Sequence, residues 1–377
     1  MILDETQIAV RDMVHAFAQE RLRPHTQAFE AAGGYPPELF AQMAELGLMG
    51  MTAPESEGGA GLDAISYALA LIEIAAGDGA LSTIVSIHNS LIVAGILAYG
   101  SAGQRARFLP DLVAGRATGA FALTEADAGS DASALRTRAD RVDGGWRLNG
   151  AKQFISNGRI ARLAIVFAVS DPAAGKKGIT AFLVPTDSPG YVVDKVEHKL
   201  GQSASDTCAI RFDDVFVPDA MVLGAPGQGY RIALSNLEAG RIGIAAQCIG
   251  MADAALAIAV GYARERQSFG QPIIAHQAVG HRLADLATRL EAARHLVLHA
   301  AAVRQSGAPC LKEASMAKLF ASETAEAVVS GAIQTLGGYG YLEEYGVAKI
   351  YRDVRVCQIY EGTSDIQRMV IARGLAE

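Results

Sequence analysis

The chain has 377 residues, of which 50% are hydrophobic and 19% are charged, and its formal net charge at pH 7 is −7. This length corresponds to two or three domains with a large apolar core. The acidic balance argues against nucleic acid or an anionic membrane as the main partner. The longest apolar stretches, residues 84–98 and 244–260, are interrupted by His88, Asn89 and Asp253, so no membrane insertion is predicted.

The N-terminal residues and the cysteines indicate a cellular compartment. Residues 1–13 lack the basic and apolar regions of a signal peptide and are too acidic for a transit peptide. The four cysteines lie at least 40 residues apart and form no C-x-x-C pair, which favours a reducing compartment over a disulfide framework or a zinc site. We therefore expect a soluble cytoplasmic protein.

Residues 1–118 show helical periodicity. Asp4 and Gln7 have the spacing of a capping box at the start of the first helix. A second helix is predicted from Pro37 to a stop at Gly47. Further helical patterns cover residues 62–76, 81–99 and 104–114.

The period changes between residues 119 and 229, where short β-type runs alternate with turn-rich pieces. These runs are residues 119–125, 163–169, 178–184, 191–196 and 207–212. Because no helical pattern separates them, the sequence favours an antiparallel sheet or small barrel over a parallel Rossmann sheet.

Residues 230–377 return to helix. Long patterns cover residues 230–267, 272–305 (opened by Pro272) and 312–336, and a last helix is expected at 364–373. Helices of this length need partners along their whole length, which predicts a four-helix bundle with subunit contacts. The fold class is therefore α+β, with a helical domain (1–118), a β-barrel-like domain (119–229) and a helical bundle domain (230–377).

Common nucleotide, phosphate-loop, zinc-protease and hydrolase motifs are absent from the sequence. Residues 224–229 are Gly-rich but lack the strand–turn–helix context, so we interpret them as a turn. Glu291, His295 and His299 recur at helical spacing and suit a metal site in principle. A solvated stripe or interface explains them better, so no metal is predicted.

Two further sites carry possible chemistry. Glu238 and Arg241 lie one helical turn apart, which favours a simple salt bridge over a grip on a polar ligand. Glu361 follows apolar residues and precedes a Thr/Ser helix start. A buried carboxylate there has the raised pKa of a general base, and the helix start can hold phosphate or ribose oxygens. An exposed turn is an equally good interpretation of this segment from the residues alone.

Four motifs in chain order resemble the acyl-CoA dehydrogenases, flavoproteins that oxidise acyl-CoA thioesters to trans-2-enoyl-CoA. They are LTEADAGSD (123–131), YARERQSFGQPIIAHQ (262–277), QTLGGYGY (334–341) and IYEGTSDIQR (359–368). The resemblance extends over essentially the whole chain. The predicted order of helical, β and helical regions is also the architecture of this family.

The resemblance implies a catalytic role for Glu361, which stands where most members carry the base that removes the α-proton while the β-hydrogen leaves as hydride to flavin N5. The base residue's own backbone N–H and a flavin hydroxyl hold the developing enolate oxygen in this family. Isovaleryl- and long-chain members place the base on the long helix instead, directly before the arginine that matches Arg241. Here that position is Gly240, which has no side chain that could act as a base. The resemblance therefore assigns the role of base to Glu361.

The resemblance also implies a set of binding residues. Contacts with FAD are expected, in part across a subunit boundary, at Phe121, Leu123, Thr124, Ser130, Phe154, Ile155, Ser156, Arg266, Phe269, Gln277, Gln334, Gly337, Gly338, Thr363 and Asp365. Contacts with acyl-CoA are expected at Ser130, Glu238, Arg241 and Gly362.

The implied partners are an acyl-CoA substrate, an electron-transfer flavoprotein and further copies of the chain in a homotetramer. Ala126 replaces a common proline of the first signature, and Phe154 replaces a common tryptophan beside the flavin. Other stretches resemble isobutyryl- and short/branched-chain members, so a short acyl group, straight or α-branched, is expected.

Two other functions are compatible with the resemblance. One is an oxidase or flavin monooxygenase that uses oxygen; the intact Glu361 favours dehydrogenation but does not decide the electron acceptor. The other is a nucleic-acid-binding flavoprotein of the same architecture, against which the net charge of −7 argues.

Overall fold

The computed structural model describes residues 2–376, and its first third is helical. The helices are α1 Glu5–Phe17, α2 Thr26–Ala32, α3 Pro37–Glu45, α4 Ala64–Gly77, α5 Gly79–Ile87, α6 Ala94–Tyr99 and α7 Ala102–Val113. The predicted capping box is confirmed, since the Gln7 N–H donates to Asp4 Oδ1 at 2.8 Å and the Asp4 N–H donates to Gln7 Oε1 at 3.1 Å.

The single helix expected over residues 81–99 is interrupted by a π-helical turn, His88–Val93, between α5 and α6. Asn89 in this turn is buried, and its amide donates to the carbonyls of Leu48 and Val85. Its Oδ1 accepts the Met51 N–H. The π turn therefore ties the helix to the preceding loop, and turns of this type often occur at functional sites.

The middle of the chain forms an eight-stranded sheet of order β6-β7-β3-β2-β4-β5-β8, with β1 paired to β4. The strands are β1 Gly119–Ala122, β2 Arg138–Val142, β3 Gly145–Ser156, β4 Leu163–Val169, β5 Ile179–Pro185, β6 Tyr191–Val196, β7 Thr207–Pro218 and β8 Val222–Leu223. The pairing is mostly antiparallel, as expected, except at β4, which pairs in parallel with β1 and, at one position, with β2. Strands β2, β3 and β8 lie outside the predicted runs, and in β2 exposed charged residues hide the strand pattern.

The last third contains α8 Gly229–Glu265, the hairpin β9 Gln267–Ser268 and β10 Gln271–Pro272, and then α9 Gln277–Gln305, α10 Leu311–Leu336, α11 Val347–Val354 and α12 Ser364–Ala376. The predicted helix start at Pro272 is wrong, since Pro272 is extended and α9 begins at Gln277. Helix α10 packs between α8, α9 and α12.

Two hydrophobic cores divide the molecule. One joins α1, α4 and α5 to the long helices α8, α9 and α10, and the other fills the space between the sheet, α6, α7 and the start of α8. The segments Gly79–Tyr99 and Gly229–Glu265 are long and apolar enough to cross a membrane. Within the molecule, however, 89% and 78% of their most apolar windows are buried, as in core helices.

A buried polar network connects all three parts of the chain. Thr83 on α5 donates to Gln202 Oε1, from the loop before β7, at 2.8 Å. Gln247 on α8 lies 3.2 Å from the same hydroxyl and accepts the Tyr360 hydroxyl at 2.8 Å. Satisfied buried networks fix the relative position of the elements that contribute to them. This network fixes the segment before Glu361 against both helical regions.

Candidate active site

Glu361 lies in a tight turn between α11 and α12. Its φ angle is +50°, and that of Gly362 is +93°, so two successive residues are left-handed. A non-glycine residue in this region costs roughly 1–3 kcal/mol and persists only where the surroundings hold it. Gln367 Nε2 donates to the carbonyl oxygens of Glu361 at 3.3 Å and Gly362 at 2.8 Å. Lys318 Nζ donates to the Gly362 carbonyl at 2.6 Å.

The Glu361 carboxyl lies directly on helix α8 at Gly240. A Cβ atom at Gly240 would be 2.0 Å from Glu361 Oε2, far inside van der Waals contact. Both carboxyl oxygens are buried, and neither has a hydrogen-bond partner among residues 2–376. Gly240, the position where isovaleryl- and long-chain members are expected to carry the base, has no side chain. The Glu361 carboxyl fills the space that a side chain there would need.

Burial decides the protonation of this carboxyl. Removal from water disfavours the charged form and raises the pKa of Glu361 to about 7, and the positive charges of Lys318 and Arg241 limit this rise. Arg241 is itself buried, and its Nε has no partner among the described residues. A carboxyl with such a pKa is half-ionised near neutral pH, which suits a general base.

The raised pKa predicts a pH-dependent stability. An unfolded Glu361 loses its proton near its ordinary pKa whereas the folded one keeps it to about pH 7, so its contribution to stability is lost as the pH rises between these values. We compare the free energy of unfolding of Glu361→Gln with that of wild type. This difference should change by about 3 kcal/mol in favour of the variant when the pH rises from 4 to 8. Urea unfolding of both FAD-loaded proteins at the two pH values measures this difference, and an equal difference at both would contradict it.

Glu238 and Arg241 do not form the salt bridge that their spacing favoured. The Cys310 thiol donates to Glu238 Oε1 at 3.2 Å, and no ion pair within 4.0 Å joins Glu238 to Arg241 among the described residues. Arg241 is buried instead, and the charge of Glu361 acts on it more strongly than the charge of Glu238. The structure therefore brings Arg241 next to the candidate base.

A narrow cavity of about 40 Å³ lies between α4, the π turn and α8. Tyr67, Asn89, Ser90 and Ala239 are among the residues that line it. Ala239 directly precedes Gly240, on which the Glu361 carboxyl lies, so the cavity and the carboxyl are neighbours. Sequence reasoning missed Tyr67, because a tyrosine on an apolar helix is indistinguishable from a core residue.

The residues of the first signature lie on a rigid edge of the sheet. Lys152 is fully buried, and its Nζ donates to the Leu123 carbonyl at 2.9 Å and to Glu125 at 2.8 Å. The Gln153 N–H donates to the Thr124 carbonyl at 2.9 Å, which joins this signature to the strand that carries Phe154. The buried pair therefore holds the segment expected to face the flavin.

Phe154 has the features of a ring that packs against a planar ligand. Its φ angle is +59° and 63% of the residue is exposed. The next residue, Ile155, is buried at 2% exposure and anchors the strand. An exposed aromatic ring on a rigid strand beside Thr124 fits the isoalloxazine of FAD.

The other expected FAD residues lie at two further places. Arg266, Gly337 and Gly338 line a groove of about 490 Å³ between the ends of α8 and α10, whose lining includes none of the residues around Glu361. Phe269, near this groove in sequence, is 97% exposed. Thr363 Oγ1 accepts the Ile366 N–H at 3.3 Å at the start of α12.

The remaining expected contact residues are placed as follows. Phe121 packs on the ring of Phe167 with a centroid distance of 4.8 Å. Ser130 and Asp365 are exposed, Ser156 pairs with Thr207 at the end of β3, Gln277 begins α9, and Gln334 lies in the last turn of α10. His295 Nε2 lies 3.2 Å from Glu291 Oε1 on an exposed face of α9. Among the described residues, no group of three or more metal-ligating side chains is arranged to hold a metal.

Comparison with known proteins identifies the family. Models of the N-terminal, middle and C-terminal domains of acyl-CoA dehydrogenases match residues 4–116, 120–215 and 227–376. An acyl-CoA dehydrogenase of Bacillus subtilis (strain 168) is 47% identical over 375 residues, which cover 100% of this chain and 99% of the relative.

Two solved structures share the whole fold. The butyryl-CoA dehydrogenase of Megasphaera elsdenii superposes with a TM-score of 0.97 at 41% identity, over 100% of both chains. A chain in a structure of the electron transferring flavoprotein of Acidaminococcus fermentans gives a TM-score of 0.97 at 40% identity, over 100% of this chain and 99% of that one. The protein therefore belongs to the acyl-CoA dehydrogenase family of FAD-dependent oxidoreductases.

Proposed function

We propose that the chain is a short-chain acyl-CoA dehydrogenase that forms the trans-2-enoyl thioester, with Glu361 as its base. The observation that carries this proposal is the buried Glu361 carboxyl on Gly240, whose oxygens have no partner among the described residues and whose pKa is raised to about 7. Such a group suits a base that acts on a ligand in the adjoining cavity. The similarity to a butyryl-CoA dehydrogenase supports the short acyl chain.

In the proposed reaction Glu361 removes the α-proton of the thioester and keeps it as a neutral carboxylic acid. The Glu361 N–H donates to the thioester carbonyl oxygen, on which negative charge develops, and such stabilisation is worth several kcal/mol. The left-handed turn aims this N–H and the carboxyl in fixed directions. Bound FAD supplies the hydride acceptor for the β-hydrogen.

The roles of the remaining residues belong to the same proposal. Glu238, Arg241, Ser130 and Gly362 bind the acyl-CoA, and the buried guanidinium of Arg241 beside Glu361 supports a role close to the reacting atoms. The expected FAD residues divide between the edge at Thr124 and Phe154, the start of α12, and the groove at Arg266 and Gly337–Gly338. The separation of this groove from Glu361 supports a contact with a neighbouring subunit's FAD.

The acyl preference follows from the cavity. Its small volume of about 40 Å³ supports a short acyl group. Pocket contacts distinguish single methylenes by only about 1–3 kcal/mol, so an α-methyl branch remains part of the proposal. An anaerobic panel of butyryl-, isobutyryl-, 2-methylbutyryl- and isovaleryl-CoA measures this preference through the rate of flavin bleaching.

That panel also tests the reaction itself. We expect at least one of the four thioesters to bleach the flavin without oxygen and the colour to return slowly in air. Rapid peroxide formation in air would favour an acyl-CoA oxidase or monooxygenase. Salt-sensitive DNA binding by the purified protein would favour a nucleic-acid-binding flavoprotein. If none of the four thioesters bleached the flavin, the proposed function would be contradicted.

The electron acceptor, assembly and location complete the proposal. The likeness to a chain in an electron transferring flavoprotein structure supports an acceptor of this kind. Exposed aromatic residues on the helical end of the chain, such as Phe269 and Tyr341, support a homotetramer. The four cysteines are free thiols, which supports a reducing, cytoplasmic setting. The domain division at residues 118 and 229 is proposed as well.

The pKa of Glu361 predicts the pH dependence of flavin reduction. Only the ionised carboxyl accepts a proton, so we expect the second-order rate constant at low substrate to rise about tenfold per pH unit below the pKa. It then levels off above about pH 7, the pKa that burial gives Glu361. Stopped-flow absorbance between pH 5 and 9 measures this limb. A midpoint in the ordinary carboxyl range would contradict the buried environment of Glu361.

A further inference from the structure

Lys318 is a buried lysine on α10 that faces the turn carrying Glu361. The residue is 0% exposed, and its Nζ donates to the Gly362 carbonyl at 2.6 Å. None of the ion pairs formed within 4.0 Å by residues 2–376 includes Lys318. A buried ammonium without a directly paired carboxylate is costly. Packing alone therefore does not explain a buried, unpaired lysine at this position.

The other two buried lysines of the described chain show the contrast. Lys152 pairs with Glu125 at 2.8 Å, and Lys349 pairs with Asp353 at 2.6 Å. Both lysines have a direct carboxylate partner. The charge of the Glu361 carboxylate acts on Lys318, but no ion pair within 4.0 Å joins the two among residues 2–376.

The turn at Glu361 depends on donors from outside it. The left-handed backbone at Glu361 and Gly362 turns both carbonyl groups toward α10 and α12. Gln367 donates to both carbonyls, and Lys318 donates to that of Gly362. Of these two donors only Lys318 carries a charge.

We propose that Lys318 is a positioning residue for the base: it fixes the left-handed turn through the Gly362 carbonyl, and its buried positive charge stabilises the carboxylate form of Glu361. This inference rests on the proposed function of Glu361 as the base. Lys318 contacts neither substrate nor flavin in this role; it acts through Glu361.

Charged and titratable groups face the carboxyl from three packed elements. They are Arg241 from α8, Lys318 from α10 and the Tyr67 phenol from α4. Burial raises the pKa of Tyr67 to about 12, so this phenol stays neutral over the useful pH range. Arg241 and Lys318 are therefore the two positive charges that oppose the burial of the Glu361 carboxylate.

Two thiols also lie close enough to Lys318 to act on its charge. The thiols of Cys248 on α8 and Cys357 before the turn act on it electrostatically, and Cys357 Sγ lies 3.3 Å from the Tyr360 hydroxyl. Burial raises the pKa of Cys248 and of Tyr360 well above their ordinary values, so both keep their protons near neutral pH. The pKa of Cys357 is lowered, because hydrogen bonds with Cys248 and Tyr360 and the charge of Lys318 outweigh its burial. Lys318 therefore favours the ionised forms of both Glu361 and Cys357, and a readout specific to the carboxyl separates the two.

Substitutions at Lys318 separate its charge from its hydrogen bond. Lys318→Gln retains a donor for the Gly362 carbonyl but lacks the charge. We expect its acid limb of flavin reduction by butyryl-CoA to move to higher pH by about 1 unit or more, as for loss of a nearby opposite charge. Below the limb its rate is then at least about tenfold lower than that of wild type, and at alkaline pH the two rates converge.

Three further variants control for structural damage. Lys318→Arg keeps the charge, and we expect its limb to coincide with that of wild type. Lys318→Met lacks both functions, and we expect a shifted limb together with a lower plateau. Gln367→Met removes the donor to both carbonyls without a change of charge, so we expect a lower plateau and an unshifted limb. Equal FAD content and melting temperature identify the variants that fold.

A readout without turnover separates this inference from the proposed function. Infrared difference spectra of wild type minus Glu361→Gln follow the protonated carboxyl in the FAD-loaded enzyme without substrate. The same difference between Lys318→Gln and the double variant should place its titration at higher pH. Unchanged titration and an unchanged limb would overturn the role of Lys318. Failure of butyryl-CoA to reduce the wild-type flavin would instead contradict the proposed substrate and leave the infrared result decisive.

Discussion

Glu361→Gln is expected to bind FAD and fold like wild type but to lose flavin reduction by at least about 1,000-fold, within the range that general bases contribute. The amide has nearly the shape of the carboxyl and fits the same space on Gly240, but it cannot accept a proton. No other carboxylate takes over, because Arg241 and Lys318 are the charged groups that face this position from α8 and α10. Anaerobic stopped-flow reduction by the best thioester of the panel measures the loss.

The control for this prediction is Glu38→Gln. Glu38 is an exposed carboxylate in the first turn of α3. The same chemical change at that place should leave flavin reduction within about twofold of wild type, since surface substitutions rarely have larger effects. If Glu361→Gln reduced its flavin as fast as Glu38→Gln, the assignment of the base would be wrong.

The loss of activity and the gain of stability expected for Glu361→Gln have one cause. Burial of an unpartnered carboxyl destabilises the fold at neutral pH and gives the same carboxyl its affinity for a proton. Active sites commonly carry this kind of local cost. The backbone of the turn carries a similar cost, because the non-glycine residue Glu361 is held in a left-handed conformation by Gln367 and Lys318.

The sequence predicted the order of elements well where the pattern is local. The capping box of α1 and the long helices α8 and α10 follow from periodicity and cap residues, and the structure has them within a few residues of the predicted bounds. Strands β2, β3 and β8 lie outside the predicted runs, and the predicted start of α9 is wrong. In β2 exposed charged residues hide the strand, and a proline at position 272 is as compatible with an extended chain as with a helix start.

The candidate site was less accessible to local reasoning. From the residues alone, Glu361 was as compatible with an exposed turn as with a buried base, and burial comes from α8 and α10, which are distant in sequence. The spacing of Glu238 and Arg241 suggested a salt bridge, because opposite charges three residues apart pair on an exposed helix face. Arg241 is buried, and its helix face is covered by the turn.

Lys318 left a signal that sequence reasoning did not use. It lies on the same helical stripe as Ala314, Ala321 and Ala325, all of which are fully buried. A charged residue inside an apolar stripe of a core helix predicts a buried charge, and a buried charge needs a partner. The partner itself is visible only in the structure, because 42 residues of chain, which include α11, lie between Lys318 and Glu361.

Gly240→Ala is expected to disable the enzyme through a single methyl group. The new Cβ would lie 2.0 Å from Glu361 Oε2 and 2.8 Å from its Cδ, so the carboxyl must move away from α8. A displacement of about 1 Å in a reacting group can cost about 100-fold in rate, and we expect a loss of at least about this size in flavin reduction. FAD content and circular dichroism should stay at wild-type values.

Gly261→Ala is the matched control on the same helix. Gly261 is exposed on α8, and a Cβ there meets nothing within 4 Å. The substitution should leave flavin reduction unchanged and stabilise the protein by up to about 1 kcal/mol, since alanine favours helix over glycine. Both variants add one methyl group to α8, and only that at position 240 meets the carboxyl of Glu361. Equal activity of the two variants would show that the carboxyl reaches its substrate from another position, and the contact between Glu361 and Gly240 would then have no part in the reaction.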